Sequence, residues 1–147
     1  MKGKGEVVAM TAVRGAFAAM AMTGIRRVTT GLGLVEKPPP ERIATDAFPH
    51  LLAQVPPDHR DEAIELAHWG YGAAAGAAFG ALPTRVRRNL LAGPVYGLAI
   101  WLAFEAGVAP MLLGIGHTKH RPLRERFAIA ADHVVYGLVL AARPRRI

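Results

Sequence analysis

Four predominantly apolar runs, at about 7–27, 66–82, 90–115 and 127–142, alternate with clusters of charge along this chain. The second is the most regular. Leu66–Leu82 holds no Asp, Glu, Lys or Arg over its 17 residues. At a helical rise it extends roughly 25 Å, near the lower limit for crossing a bilayer. Gly72, Gly76 and Gly80 recur at every fourth position and so share one helix face. In the third run Gly93, Gly97, Trp101 and Glu105 follow the same spacing. That run is about 39 Å long as a helix, so it must tilt, bend or protrude. Pro110 lacks an amide hydrogen and frees the carbonyl of Ala106, which predicts a bend there.

The pattern predicts an all-α integral membrane four-helix bundle. The spans pair into two helical hairpins, and the spans that end them both open on His-x-x-Tyr-Gly: His68, Tyr71 and Gly72, then His133, Tyr136 and Gly137. Two hairpins of this kind run in the same sense and form parallel repeats about an axis along the membrane normal. Gly72, Gly76, Gly80, Gly93, Gly97 and Gly137 are the helix-packing residues, because small residues let backbones approach closely in lipid. The whole chain, 1–147, reads as a single transmembrane domain.

The polar loop 36–60 is the longest connection. Pro38, Pro39 and Pro40 stop a helix, and Pro56 and Pro57 close the segment. Between them Ile43, Ala47, Phe48, Leu51 and Leu52 keep a helical spacing, which fits either a helix lying in the interface or one that caps the bundle. Asp58 is placed to cap the helix that follows. In the first run Arg14 interrupts the apolar pattern, and its long stem suits snorkelling to the head groups. Lys2 and Lys4 with Ala16-Phe17-Ala18 imitate a cleavable leader, but the run continues to Ile25 and reads as an uncleaved span.

Composition narrows the function. The chain has no cysteine, so disulfides and thiolate metal sites are excluded. Its formal charge is +7 and its mean hydropathy +0.23. The basic residues flank apolar runs, which points to anionic head groups and not to nucleic acid. Each side of the predicted membrane carries nine Lys or Arg. The arginine clusters at 85–88 and 143–146 adjoin span ends without nearby acids, which favours cytoplasmic termini. No nucleophile elbow, phosphate loop or dinucleotide fingerprint is present, so no catalytic residue is assigned and the chain is not read as an enzyme.

Four residues carry the candidate chemistry. Glu105 lies within an apolar run, where an ionised carboxylate must face protein or water. With His68, Asp132 and His133 it would form a polar network inside the membrane. Two imidazoles on separate helices can also hold a haem iron from both sides, so His68 and His133 form a candidate haem b site beside the reading without cofactor. Structural imidazoles that hydrogen-bond a neighbouring helix are the plainer alternative. His117 and His120 are three apart and suit one face of a turn, but zinc wants three or four ligands and no third is evident beyond Glu125. His50 and His59 are loop residues without a partner signal. Trp69, Trp101 and Tyr96 mark interfaces or packing.

The succession of a Gly/Ala-rich first span, H-W-G-Y-G-A-A-A-G at 68–76, G-L-A-I-W-L-A-F-E at 97–105 and D-H-V-V-Y-G at 132–137 resembles the YagU-like family of uncharacterised bacterial inner-membrane proteins. The resemblance covers about two-thirds of the chain, and the 36–60 loop falls outside it. It implies a small multi-pass protein of the bacterial cytoplasmic (inner) membrane without an assigned reaction. Two functions fit. One is an accessory or structural subunit that contacts the lipid bilayer and other membrane subunits or itself. The other is a small proton- or ion-responsive transporter-like element or bis-His haem carrier using Glu105, His68 and His133.

Overall fold

A computed structural model describes residues 3–36, 38–114 and 121–142. Among these residues every regular element is helical. The long first helix, α1, spans Lys4–Gly31. The connection folds as α2 (Pro39–Arg42), a π-turn at Ile43–Ala47, α3 (Pro49–Ala53) and a 3-10 turn at Pro57–His59. Helix α4 covers Arg60–Ala81 and the short α5 covers Thr84–Arg87. Helix α6 (Ala92–Ala103) runs through a π-turn at Phe104–Val108 into α7 (Ala109–Leu113). Helix α8 is Leu123–Ala141.

The helices outrun the apolar runs that mark them. α1 begins three residues before Val7, and α4 starts six residues before Leu66. Backbone hydrogen bonding continues into polar flanks, where Asp61 and Glu62 suit the positive end of α4. Asp58 does not cap that helix. The cap position is His59, no side chain bonds to it, and the Asp58 carboxylate sits exposed, 3.7 Å from His59. Ahead of Pro110 the hydrogen-bond pattern changes to the wider π spacing over 104–108, the accommodation that a missing amide invites.

The long helices pack as two antiparallel pairs, α1 with α4 and α6 with α8. Both seams rest on glycine. In each, the glycine that closes His-x-x-Tyr-Gly lies against a glycine of the partner helix: Gly72 against Gly15, Gly137 against Gly93. A Cβ on Gly76 or Gly80 would meet Thr11, and one on Gly97 would meet the His133 carbonyl. Backbones in such contact gain dispersion along their whole length.

Two phenols join the pairs. Tyr136 on α8 donates to the Gly72 carbonyl at 2.7 Å, and Tyr96 on α6 donates to the Ala75 carbonyl at 2.7 Å. Arg14 does not simply snorkel: its guanidinium donates to the carbonyl of Ala142, the residue that ends α8. A cation at a helix C-terminus satisfies a carbonyl left without an intrahelical partner. Tyr136→Phe is expected to cost about 1 kcal/mol, since the Gly72 carbonyl keeps its own helix. A thermal melt in detergent checks this, and a loss several times larger would mean that the hydroxyl organises more than one contact.

Candidate functional site

Where the two pairs face each other, α4 and α6–α7 stand apart, and a chamber of about 430 Å³ lies between them. Its walls are Ile64, Ala67, His68 and Tyr71 from α4 and Trp101, Phe104, Glu105 and Val108 from the α6–α7 side. Ile129, Asp132 and His133 of α8 close the back, with Met22 and Arg26 of α1. The connection forms the remaining wall: Ile43, Phe48, Leu51, Leu52 and Val55 all reach the chamber. The apolar residues of the 36–60 loop therefore line a cavity from two short helices and a π-turn. They do not form a single helix lying flat at an interface.

The chamber exists because the repeated motif has two different environments. Tyr136 is 3% exposed and bonded across to α4. Its counterpart Tyr71 is 51% exposed and lies on the chamber wall. The histidines differ too. His133 Nδ1 bonds the Ile129 carbonyl at 2.8 Å. A carbonyl only accepts, so Nδ1 carries the proton, and in the neutral ring Nε2 is left as an acceptor. His68 Nε2 is buried without a hydrogen-bond partner among the described residues.

All four residues of the expected polar network, Glu105, His68, Asp132 and His133, line this one chamber. No hydrogen bond between any two of them is found among the described residues. Glu105 looks elsewhere for its counter-charge. It is 5% exposed, with Arg121 at 3.6 Å and Arg126 at 4.0 Å. Arg121 lies also 3.3 Å from the buried Glu125. Burial pulls the Arg121 guanidinium below its ordinary range, and Glu105 opposes that pull. This cluster is the feature that sequence reasoning missed. The one available signal was the basic run before Phe127, next to an acid stranded in an apolar stretch.

A second polar knot holds α1 to α4. Glu65 accepts from Thr23 Oγ1 at 2.6 Å and from Arg26 Nη2 at 2.9 Å, while Trp69 Nε1 donates to Thr23 Oγ1 at 3.2 Å. Arg26 thus reaches the chamber with its charge already paired. Trp69 is a packing residue in this knot, whereas Trp101 lines the chamber with its Nε1 turned away from the open space and without a partner among the described residues.

Glu125, the third residue considered for zinc with His117 and His120, is engaged by Arg121; the two histidines lie outside the described residues. Among the described residues no group of three or more His, Asp or Glu is arranged to hold a metal ion. Two helical stretches, Lys4–Gly31 and Ala92–Leu113, are long and apolar enough to cross a membrane. No family model, no curated protein and no solved structure matches this chain.

Proposed function

We propose that this chain is a four-span helical protein of a bacterial inner membrane, built from two parallel-repeat hairpins, that holds a membrane-soluble small molecule between them without catalysing a reaction. The chamber carries this reading: about 430 Å³, mostly apolar walls and a few convergent polar groups are the marks of a ligand site. The absence of a nucleophile or general-base pair in the sequence motifs favours holding over chemistry.

The lipid setting is supported by where polar and apolar side chains lie. Thr11, Thr23, Glu105, Glu125 and Asp132 are buried, while Leu90, Met111 and Phe127 are 89%, 80% and 73% exposed. Water would penalise such a surface, and hydrocarbon accepts it. Only 17% of the apolar window of Ala92–Leu113 is buried, so this helix is not wrapped as the core helix of a soluble domain would be. The resemblance to YagU-like proteins is the ground for naming the bacterial inner membrane.

The outward faces also suit an accessory subunit that packs against other membrane proteins or a second copy. Gly24 and Gly70 have nothing within 4 Å and leave flat backbone on α1 and α4. Co-purification after gentle solubilisation tests that second reading.

The ligand-holding reading is tested by native mass spectrometry of the protein released from mild detergent. An apolar molecule of lipid-like mass is expected to stay bound. Ala63→Trp, which fills the chamber, is expected to lose it, and Gly24→Trp on the outer face is expected to keep it. Equal retention by both variants would overturn the reading.

A further inference from the structure

We propose that the turn joining α4 to α6 seats an anionic phospholipid of the surrounding bilayer, with Arg85 and Arg87 at its phosphate and Leu90 and Leu91 against the start of its acyl chains. This rests on the membrane-spanning reading above and is independent of what the chamber holds.

The first observation is uncompensated charge. No Asp or Glu stands between Glu65 and Glu105, and that stretch contains Arg85, Arg87 and Arg88. Arg87 Nε donates to the Leu82 carbonyl at 3.0 Å, and its Nη2 donates to Thr84 Oγ1 at 3.3 Å. Both acceptors are neutral, so the guanidinium is fixed in direction while its charge stays unbalanced. Arg85 is exposed, and among the described residues no acid pairs with it or with Arg87. A phosphate is the acceptor that suits a planar guanidinium fork.

The second is how the fold sorts charge between its two ends. A Cβ on Gly80 would meet Val8 and Thr11, so the start of α1 lies beside the end of α4 and brings Lys4 toward α5. Gly93 lies against Ala141, and Arg14 donates to Ala142, so α8 finishes at this end as well. At the opposite end the cations are engaged: Glu65 holds Arg26, and Glu105 and Glu125 flank Arg121. The count of basic residues ties at nine on each side, and the pairing breaks the tie. Free positive charge gathers around α5, which is the charge that an anionic head group complements.

The third is the apolar neighbours of the arginines. Leu90 and Leu91 are 89% and 66% exposed, and Val86, between Arg85 and Arg87, is 47% exposed. A dissolved phosphate makes no use of such side chains. A phospholipid presents phosphate and hydrocarbon in succession, and the turn presents guanidinium and leucine in the same succession.

The test uses the full chain in mild detergent, with dioleoylphosphatidylglycerol and dioleoylphosphatidylcholine supplied in equal amounts and native mass spectrometry to count what stays bound. The anionic lipid is expected to be retained at least about tenfold over the zwitterionic one, since each basic residue at such a surface is worth roughly fivefold. Arg85→Gln is expected to lower that preference about fivefold. Its side chain makes no hydrogen bond or ion pair among the described residues, so the variant is expected to melt like its parent. Arg27→Gln, which removes an exposed cation at the opposite end, is expected to leave the preference within about twofold. Inorganic phosphate in large excess is expected to leave the anionic lipid bound. Equal losses for Arg85→Gln and Arg27→Gln would show that overall charge draws the lipid, and displacement by phosphate would show an anion site that needs no lipid; either overturns the proposal. Flotation separates this from the reading on which it rests. A protein that floats with pure phosphatidylcholine vesicles and retains the two lipids equally refutes the seat at α5 alone. One that stays folded in detergent-free buffer and floats with neither kind of vesicle refutes the membrane-spanning reading.

Discussion

Gly137→Val is expected to separate α6 from α8 and to lower stability by at least about 3 kcal/mol, whereas Gly24→Ala is expected to raise it by about 0.5–1 kcal/mol. A Cβ at position 137 falls on the Gly93 carbonyl, which is backbone. No side-chain rotamer can yield there, so the two helices must part and the contacts along the seam loosen together. Gly97 meets the His133 carbonyl one turn away, so the strain cannot be passed along the seam. Gly24 has open space around it, and alanine there only removes the entropy that glycine loses in a helix. Unfolding in mixed micelles measures both. A Gly137→Val protein as stable as its parent would mean that α6 and α8 do not touch through glycine.

Arg121→Met is expected to destabilise by about 3–5 kcal/mol, because it strands two carboxylates at once. The Arg121 side chain is 5% exposed and stands between Glu105 at 3.6 Å and Glu125 at 3.3 Å. Among the described residues, Glu105 would then keep only Arg126, 4.0 Å away and 42% exposed, and Glu125 would keep no ion-pair partner. Adding Glu105→Gln and Glu125→Gln to Arg121→Met is expected to recover most of the loss, since neutral polar groups are far less costly to bury than unpaired ions. The same micelle assay checks the pair of results. A loss below about 1 kcal/mol for Arg121→Met would show that the cluster is solvated and contributes as a surface ion pair does.

These two sites differ in how far they could be read beforehand. Gly72, Gly76 and Gly80, like Gly93 and Gly97, announce themselves by their fourfold spacing, because a helix turns any such spacing into a face. Long apolar runs likewise mark α1, α4, α6–α7 and α8 to within a few residues, since the runs must be covered by something apolar. The helix ends were less legible. Hydrogen-bonded turns carry on into Lys4, Arg60 and Leu123 with little regard for side-chain polarity.

What the sequence by itself determined is the four long helical stretches, the glycines of their seams and the acids that had to be hidden, Glu105 and Asp132. Periodicity and the cost of burying charge are local properties of a chain, and they need no partner to be read. Only the tertiary structure decided which residues meet. The same His-x-x-Tyr-Gly motif gives a buried Tyr136 bonded across to Gly72 and a half-exposed Tyr71, because Tyr136 sits where the two closed pairs meet and Tyr71 lines the chamber between α4 and α6–α7. Arg121 reaches Glu105 across a connection. Ile43, Phe48, Leu51, Leu52 and Val55 line the chamber and complete its wall, with Phe48 and Leu51 still exposed on their outer sides. Each of these depends on distances between segments far apart in the chain, and no spacing along a single helix encodes them.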